Sequence, residues 1–121
     1  MPKRILVVED DTDILFIVQF ILKDAGFEIF TSADGENLME VIGNCRPDLI
    51  LMDVRLPKQD GRLLCESIKA QMKEMPIIVM SAHADYRNTM QQTGADDFIS
   101  KPFDMEKLVQ RINLRVASCT L

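Results

Sequence analysis

Apolar runs of strand length recur along the chain, and a polar or acidic residue follows each of them. Three runs are apolar at nearly every position, namely residues 5–8, 48–52 and 76–80. Runs that are apolar on both faces are typical of strands buried inside a parallel sheet. Two shorter segments, 27–31 and 98–99, complete the pattern. The pattern therefore predicts a sheet of five strands.

The segments between the strands carry apolar residues at the spacing of an amphipathic helix. Residues 34–43 supply the second of these helices, and Tyr86 and Met90 are the only large apolar residues of the fourth. Asp11 and Thr12 can cap the first helix, Gly26 follows its end, and Gly94 closes the fourth. The apolar positions of the first, third and last helices are Ile14, Val18, Ile21, Ala25, Leu64, Ile68, Met72, Leu108, Ile112 and Val116.

Strand and helix alternate five times with short connections, which predicts an α/β protein. With right-handed crossovers, five such units form an open sheet or begin a barrel, and 121 residues are too few for the barrel. We expect a doubly wound (βα)5 three-layer sandwich with a flavodoxin-like parallel sheet of order 2-1-3-4-5.

Composition narrows the classes of protein that the chain can belong to. Hydrophobic residues make up 47% and charged residues 27%, the balance of a packed domain. A net charge of -5 argues against direct binding to nucleic acid. No apolar run approaches the roughly 20 residues that span a bilayer, so we expect no membrane association and a cytoplasmic location. The three cysteines are widely spaced, and we interpret them as reduced packing or surface residues.

Ionisable and hydroxyl groups stand where the strands end. The first strand ends in Glu9 and Asp10, the third in Asp53 and the fourth in Ser81, and Lys101 follows the fifth. In open α/β sheets the functional site lies at the carboxyl ends of the strands. Two carboxylates about 4 Å apart repel by about 4 kcal/mol at an effective dielectric near 20, so the cluster must protonate or bind a cation. Ligation by oxygen alone favours Mg²⁺.

These groups together suit phosphoryl transfer. Asp53 can attack a phosphoryl group, the metal can neutralise charge on its oxygens, and Lys101 and Ser81 can bind two more of them. Each residue also has a simpler interpretation. The acidic pair can be a helix N-terminus, Asp53 a loop cap, Ser81 a helix cap and Lys101 a solvated surface amine. The joint placement is what favours the chemical interpretation.

The sequence resembles the receiver domains of bacterial response regulators in two-component signalling, from Lys3 to about Val116. The resemblance implies that Asp53 is the phosphoacceptor, Asp10 a direct Mg²⁺ ligand, Glu9 a ligand through water and Arg55 a ligand through its backbone carbonyl. It also implies that the Lys101-Pro102 bond is commonly cis. The matching segments are 5–11 (ILVVEDD), 49–57 (LILMDVRLP) with Asp60-Gly61, Ser81-Ala82, and 94–103 (GADDFISKPF).

The resemblance further implies a switch. Ser81 moves towards the phosphoryl group and an aromatic residue at position 98 rotates inward, although Phe98 lacks the hydroxyl of the commoner tyrosine and core packing explains it equally well. Arg55 and His83 stand at positions that line the pocket mouth. The resemblance also implies a domain that assists its own phosphotransfer and dephosphorylation and is not an enzyme acting on other substrates.

The implied partners are a sensor histidine kinase or phosphotransfer protein and an output domain or protein. The output surface is the face formed by the fourth helix, the fifth strand and the fifth helix. Asp97 and Arg111 are compatible with a homodimer through this face, whereas Lys107 departs from the acidic residue usual there. We expect residues 1–121 to form a single receiver domain, either free-standing or as the amino-terminal part of a longer regulator.

Two other classes of protein remain as alternatives. Asp11-Thr12-Asp13 gives a faint likeness to an aspartyl-phosphate phosphatase of the haloacid dehalogenase type, which would hydrolyse a substrate. That motif lies beyond the strand end, and the chain has no room for the cap of such an enzyme. A pseudo-receiver would bind partners without taking phosphate, but the acidic, hydroxyl and lysine positions are all filled.

Overall fold

Five strands and four helices make up the described part of the computed structural model, which covers residues 2–57, 59–82 and 93–118. None of these helices is long and apolar enough to cross a membrane. The predicted fourth helix, with Tyr86 and Met90, and His83 fall on residues 83–92, outside the described ranges. The elements are β1 (Arg4–Val8), α1 (Thr12–Asp24), β2 (Glu28–Ser32), α2 (Leu38–Cys45), β3 (Leu49–Asp53), α3 (Gly61–Gln71), β4 (Ile77–Ala82), β5 (Asp97–Lys101) and the C-terminal helix (Met105–Ser118).

The strands form one parallel sheet in the order β2-β1-β3-β4-β5. This confirms the predicted fold class and strand order. All five residues of β3 are buried, whereas in β2 at the sheet edge only Ser32 is buried and the other four residues are half-buried or exposed. The continuous apolar runs are therefore the inner strands, because only they have neighbours on both sides and helices on both faces.

Helix α1 begins and ends as its sequence predicts. The Asp11 carboxylate accepts hydrogen bonds from the backbone N–H groups of Asp13 (2.9 Å) and Ile14 (3.2 Å), so it caps the helix. Ala25 ends the helix and Gly26 follows with φ +96°, a conformation that glycine adopts without strain.

Helix α2 begins later than predicted. Residues 34–37 form a turn instead of the first helical turn, because Gly35 (φ +75°) and Asn37 (φ 53°) adopt left-handed conformations. The Asp34 side chain accepts a hydrogen bond from the Glu36 N–H at 3.0 Å and closes the turn. The helix then runs to Cys45, two residues past the predicted end at Gly43.

The apolar core has one half on each face of the sheet. Helix α1 and the C-terminal helix cover one face, with Val18 and Leu22 packed near Leu108 and Ile112. Helices α2 and α3 cover the other face, where Phe98 of β5 also packs. The polar groups of the strand ends therefore collect at the rim of the sheet, between two apolar layers.

Two aspartates fix the amino-terminal edge of the sheet. Asp48 accepts a hydrogen bond from the Arg4 N–H at 2.8 Å, and its own N–H donates to the Arg4 carbonyl at 2.7 Å. The Asp96 carboxylate accepts a hydrogen bond from the Ile77 N–H at 2.8 Å, and the Asp96 N–H donates to the Ile77 carbonyl at 2.9 Å. The same carboxylate also accepts from Lys69 Nζ at 3.0 Å. Each aspartate thus ties the start of one strand to the start of its neighbour.

Candidate functional site

The predicted site residues meet at the carboxyl edge of the sheet. Glu9 directly follows β1, and Asp53 is the last residue of β3. Asp53 pairs in register with Met80, so Ser81 lies one position further along the neighbouring strand. Lys101 ends β5, and its bond to Pro102 is cis, as the resemblance implied.

One ammonium group joins two buried carboxylates. Lys101 Nζ donates hydrogen bonds to Glu9 Oε1 at 2.7 Å and to Asp53 Oδ2 at 2.9 Å. The Glu9 side chain is fully buried and that of Asp53 is 8% exposed. The other oxygen of each carboxylate accepts from the backbone, Asp53 Oδ1 from the Arg55 N–H at 3.0 Å and Glu9 Oε2 from the Asp10 N–H at 3.1 Å.

The local environment shifts the pKa values of Glu9 and Asp53 in opposite directions. Burial is the largest cause that raises the pKa of Glu9 to about 7, a hydrogen bond with Asp53 adds to the increase, and Lys101 partly offsets it. Burial would also raise the pKa of Asp53, but hydrogen bonds from Glu9, the Arg55 backbone and Lys101 outweigh it and lower that pKa. Burial alone would lower the pKa of Lys101, but its hydrogen bonds to both acids outweigh burial and raise that pKa. Asp53 is therefore ionised at neutral pH and faces a cation.

Glu9, Asp10 and Asp53 can hold a metal ion. One carboxylate oxygen from each lies within 4.8 Å of the others. Opposite ligands of an octahedral Mg²⁺ lie about 4.2 Å apart, so a small contraction of the group accommodates the ion. The donors are all oxygen, and Asp10 is exposed, which leaves room for the waters that Mg²⁺ retains. The three acids therefore fit the predicted metal.

The two switch residues lie in different surroundings. Ser81 is buried beside the end of β3. Phe98 is buried too, but it packs in the core half formed by α2 and α3, as the packing interpretation predicted. The switch roles of both residues, and the ligand role of the Arg55 carbonyl, stay predictions.

Some contacts of the site have no signal in the sequence. The pairing of Lys101 with Glu9 joins residues at opposite ends of the chain, and sequence reasoning assigned that lysine only to the phosphoryl group. Gly61, the first residue of α3, lies so close to β3 that a Cβ on it would be 2.2 Å from the Asp53 carbonyl oxygen. The sequence marks this close contact of α3 with β3 only through the Asp60-Gly61 pair of the matching motif.

The motif of the phosphatase alternative has a structural role instead. Asp11 is the N-cap of α1, and one of its oxygens accepts from two backbone N–H groups of the first helical turn. Asp11 also lies outside the group of acids that can hold a metal.

Known proteins share this sequence and this fold. The response regulator receiver domain family matches residues 5–113. The alkaline phosphatase synthesis transcriptional regulatory protein PhoP of Bacillus subtilis (strain 168) is 34% identical over 114 residues, which cover 93% of this chain and 48% of PhoP. The chain thus spans about half the length of this curated relative.

Solved structures give the same result. A response regulator from Chloroflexus aurantiacus superimposes with a TM-score of 0.89 at 31% identity, covering 97% of this chain and 99% of that one. NtrX from Brucella abortus gives 0.87 at 32% identity, covering 98% of this chain and 27% of its own. The chemotaxis response regulator CheY4 of Vibrio cholerae gives 0.85 at 27%, covering 95% and 99%.

A parallel sheet in this order, with an acidic group and a lysine at its carboxyl edge, defines a signalling domain of the response regulator class. The chain belongs to the response regulator receiver domain family. In this family the general partners are histidine kinases and output domains.

Proposed function

We propose that the chain is a phosphorylatable switch in which Asp53 accepts a phosphoryl group. The observation that carries the proposal is the Lys101 contact with Asp53 and Glu9, because it holds an ionised carboxylate in a buried position within a group of acids that can bind a metal. A buried anion beside one cation is a nucleophile with little solvation to lose on attack.

The donor is a phosphohistidine of a sensor histidine kinase or phosphotransfer protein. An Asp53 oxygen forms the new O–P bond as the P–N bond breaks, and the electron pair of that bond stays with the departing imidazole. Lys101 Nζ, which bonds Asp53 Oδ2 before transfer, shifts its hydrogen bond to a phosphoryl oxygen. The Ser81 hydroxyl donates to another phosphoryl oxygen, and the domain later assists hydrolysis of the acyl phosphate.

Glu9, Asp10 and Asp53, with the backbone carbonyl of Arg55, are the residues that would hold Mg²⁺. When bound, the ion supplies positive charge that offsets the negative charge of the phosphoryl oxygens. Glu9, whose pKa of about 7 leaves it partly protonated at neutral pH, keeps the repulsion among the three acids low in the metal-free protein.

Phosphorylation would change the face formed by the predicted fourth helix, β5 and the C-terminal helix, and thereby control an output domain or protein in the cytoplasm. The charged side chains of this face contact one another within the chain. Arg111 Nη1 donates to Asp97 Oδ1, and Arg115 Nε lies 3.5 Å from Asp97 Oδ2. A homodimer through this face would therefore exchange these contacts for contacts between copies.

The test is phosphorylation by acetyl phosphate in the presence of Mg²⁺, followed by intact mass measurement. The wild type is expected to gain the mass of one phosphoryl group, and Asp53→Asn is expected to gain none. A wild type that never gains this mass contradicts the proposal and favours the pseudo-receiver.

Asp11→Asn is the matched control. Asparagine caps a helix as well as aspartate does, so the fold of α1 is preserved. The variant should be phosphorylated like the wild type if Asp53 is the acceptor. Loss of phosphorylation in Asp11→Asn but not in Asp53→Asn would instead favour the phosphatase alternative.

A further inference from the structure

Helix α2 has a strained backbone at both of its ends. Asn37, which precedes its first residue, has φ 53°, and Arg46, which follows its last residue, has φ 48°. They are the only non-glycine residues with positive φ in the described ranges 2–57, 59–82 and 93–118. A left-handed conformation is unfavourable for residues with a Cβ, and more so for arginine than for asparagine. The closed position of α2 therefore stores backbone strain.

Helix α2 is also short and weakly capped. It has 8 residues, against 13 in α1 and 11 in α3. The side chains of Asp11 and Asp60 cap α1 and α3, whereas the Asn37 side chain makes no capping hydrogen bond within the described part of the chain. The first amide groups of α2 thus lack the side-chain acceptor that a helix usually has there.

A groove runs between α2 and the end of α3. It has a volume of about 360 Å³, and the residues that line it include Met39, Gly43 and Met72. A Cβ added to Gly43 would meet no atom within 4 Å, so this side of α2 is open. An element with few packing contacts opens at a lower free energy than the rest of a fold. The buried side chains that attach α2 are Leu38, Ile42 and Cys45.

The turn that leads into α2 lies against the candidate site. The Gly35 N–H donates to Ser32 Oγ at 3.2 Å, and the Ser32 carbonyl accepts from the Glu9 N–H at 3.0 Å. Gln59 Nε2, in the loop between β3 and α3, donates to the Asp34 carbonyl at 3.4 Å. The turn therefore contacts both the end of β1 and the loop that follows β3.

We propose that α2 opens from the sheet while the other described elements stay folded, and that an occupied site keeps it closed. Opening breaks the contact of Gln59 with the turn, and the loop that carries Gln59 also provides the Arg55 N–H that bonds Asp53 Oδ1. A phosphoryl group on Asp53 needs this loop in place, so it favours the closed form and shifts the equilibrium towards it. This second part rests on the proposed function. The state of the site thus controls whether the apolar underside of α2 is exposed.

Two buried cysteines report the opening. Cys45 lies in the last turn of α2 and Cys65 lies on α3, and both are free thiols. With each rate taken relative to the unfolded chain, iodoacetamide should label Cys45 at least about tenfold faster than Cys65. Low concentrations of urea should hardly change the rate at Cys45, because local opening exposes little surface, but should raise the rate at Cys65 steeply. Equal rates with the same urea dependence would show that α2 opens only with the whole chain, which overturns the proposal.

Two substitutions by glycine test whether strain causes the opening. Arg46→Gly should slow the labelling of Cys45 by roughly three- to tenfold, because glycine adopts the left-handed conformation without strain. Glu40→Gly is the matched control, since it places the same residue at an exposed position in the first turn of α2. It should speed the labelling by roughly two- to tenfold, because glycine weakens a helix and the acid is lost from its first turn. Direct attack on Cys45 in the closed form would leave both rates unchanged and would overturn the proposal.

The coupling to the site is measured with acetyl phosphate. In the presence of Mg²⁺, acetyl phosphate should slow the labelling of Cys45 at least about threefold in the wild type and not at all in Asp53→Asn. The intact mass before labelling shows whether Asp53 carries the phosphoryl group. An unchanged rate in phosphorylated protein overturns the coupling and leaves the proposed function standing. A wild type that gains no mass overturns the coupling together with the proposed function, but not the opening, which the first two tests measure without phosphate.

Discussion

Lys101 shows how one side chain can decide the properties of a site. Its Nζ lies 2.7 Å from Glu9 Oε1 and 2.9 Å from Asp53 Oδ2, and both acids are buried. Its removal would take away the cation that bonds both carboxyl groups. Removing one partner of a buried ion pair leaves the other charge uncompensated. The free energy lost in this way is larger than the net contribution of the intact pair.

We expect Lys101→Met to lower both the phosphorylation rate and the stability of the unphosphorylated protein. The unfolding free energy should fall by about 1–3 kcal/mol, the cost of leaving a buried polar group without its partner. Urea unfolding measures the second effect. Lys107→Met, which removes an exposed lysine from the C-terminal helix, should change the unfolding free energy by less than about 0.5 kcal/mol. Equal stability of the two variants would show that the Lys101 contacts contribute nothing.

Cys65 illustrates the effect of burial on a single titrating group. Its side chain is fully buried on α3, and burial raises its pKa from 9.0 to about 11. The Sγ of the neutral thiol donates a hydrogen bond to the Thr93 carbonyl at 3.6 Å. Because the pKa is higher in the folded state, the contribution of Cys65 to stability is complete below pH 9 and is lost as the pH rises towards 11.

Iodoacetamide labelling of the native protein at pH 8 should therefore be at least about a hundredfold slower at Cys65 than in the unfolded chain. The rate should rise about tenfold per pH unit, because only the thiolate reacts. Peptide mapping separates Cys65 from Cys45 and Cys119. Labelling at the same rate in guanidinium and in native buffer would show that the thiol is accessible in the fold.

At the scale of elements, the position of α3 depends on one glycine. The Gly61 N–H donates to the Val54 carbonyl at 2.9 Å, and a Cβ at this position would meet the Asp53 oxygen at 2.2 Å and Val54 Cα at 2.7 Å. These are backbone atoms, which cannot rotate away. The close approach brings the start of α3 against the residue that we propose as phosphoacceptor.

Gly61→Ala should therefore destabilise the protein by about 1–3 kcal/mol or more, the usual cost of overpacking, and reduce phosphorylation as well. Gly43→Ala is the matched control, because Gly43 lies inside α2 and a Cβ added there would meet no atom within 4 Å. That substitution should stabilise the fold by about 0.5–1 kcal/mol. Thermal unfolding followed by circular dichroism compares the two. A Gly61→Ala variant as stable as the wild type would mean that β3 and α3 separate readily.

At the scale of the molecule, the sequence predicts which residues meet but not how they bond. Apolar runs indicated the strands, because strands buried on both faces leave a continuous pattern, and the strand ends then indicated Glu9, Asp53, Ser81 and Lys101. The start of α2 was misplaced because left-handed turn residues such as Asn37 leave no periodic signal. The Lys101 contact with Glu9 was missed because it depends on the sheet as a whole.

The aspartates at the amino-terminal edge have a consequence for where this chain can accept an inserted residue. Asp48 aligns the starts of β1 and β3, and Asp96 aligns the starts of β4 and β5. A site residue lies at the other end of each of these strands. One residue inserted within a strand would shift its end by about 3.3 Å and turn its side chains to the opposite face. A residue inserted in a loop on the amino-terminal side of the sheet should therefore leave the site of this chain intact, whereas one inserted between Asp48 and Asp53 or between Asp96 and Lys101 should displace Asp53 or Lys101 from it.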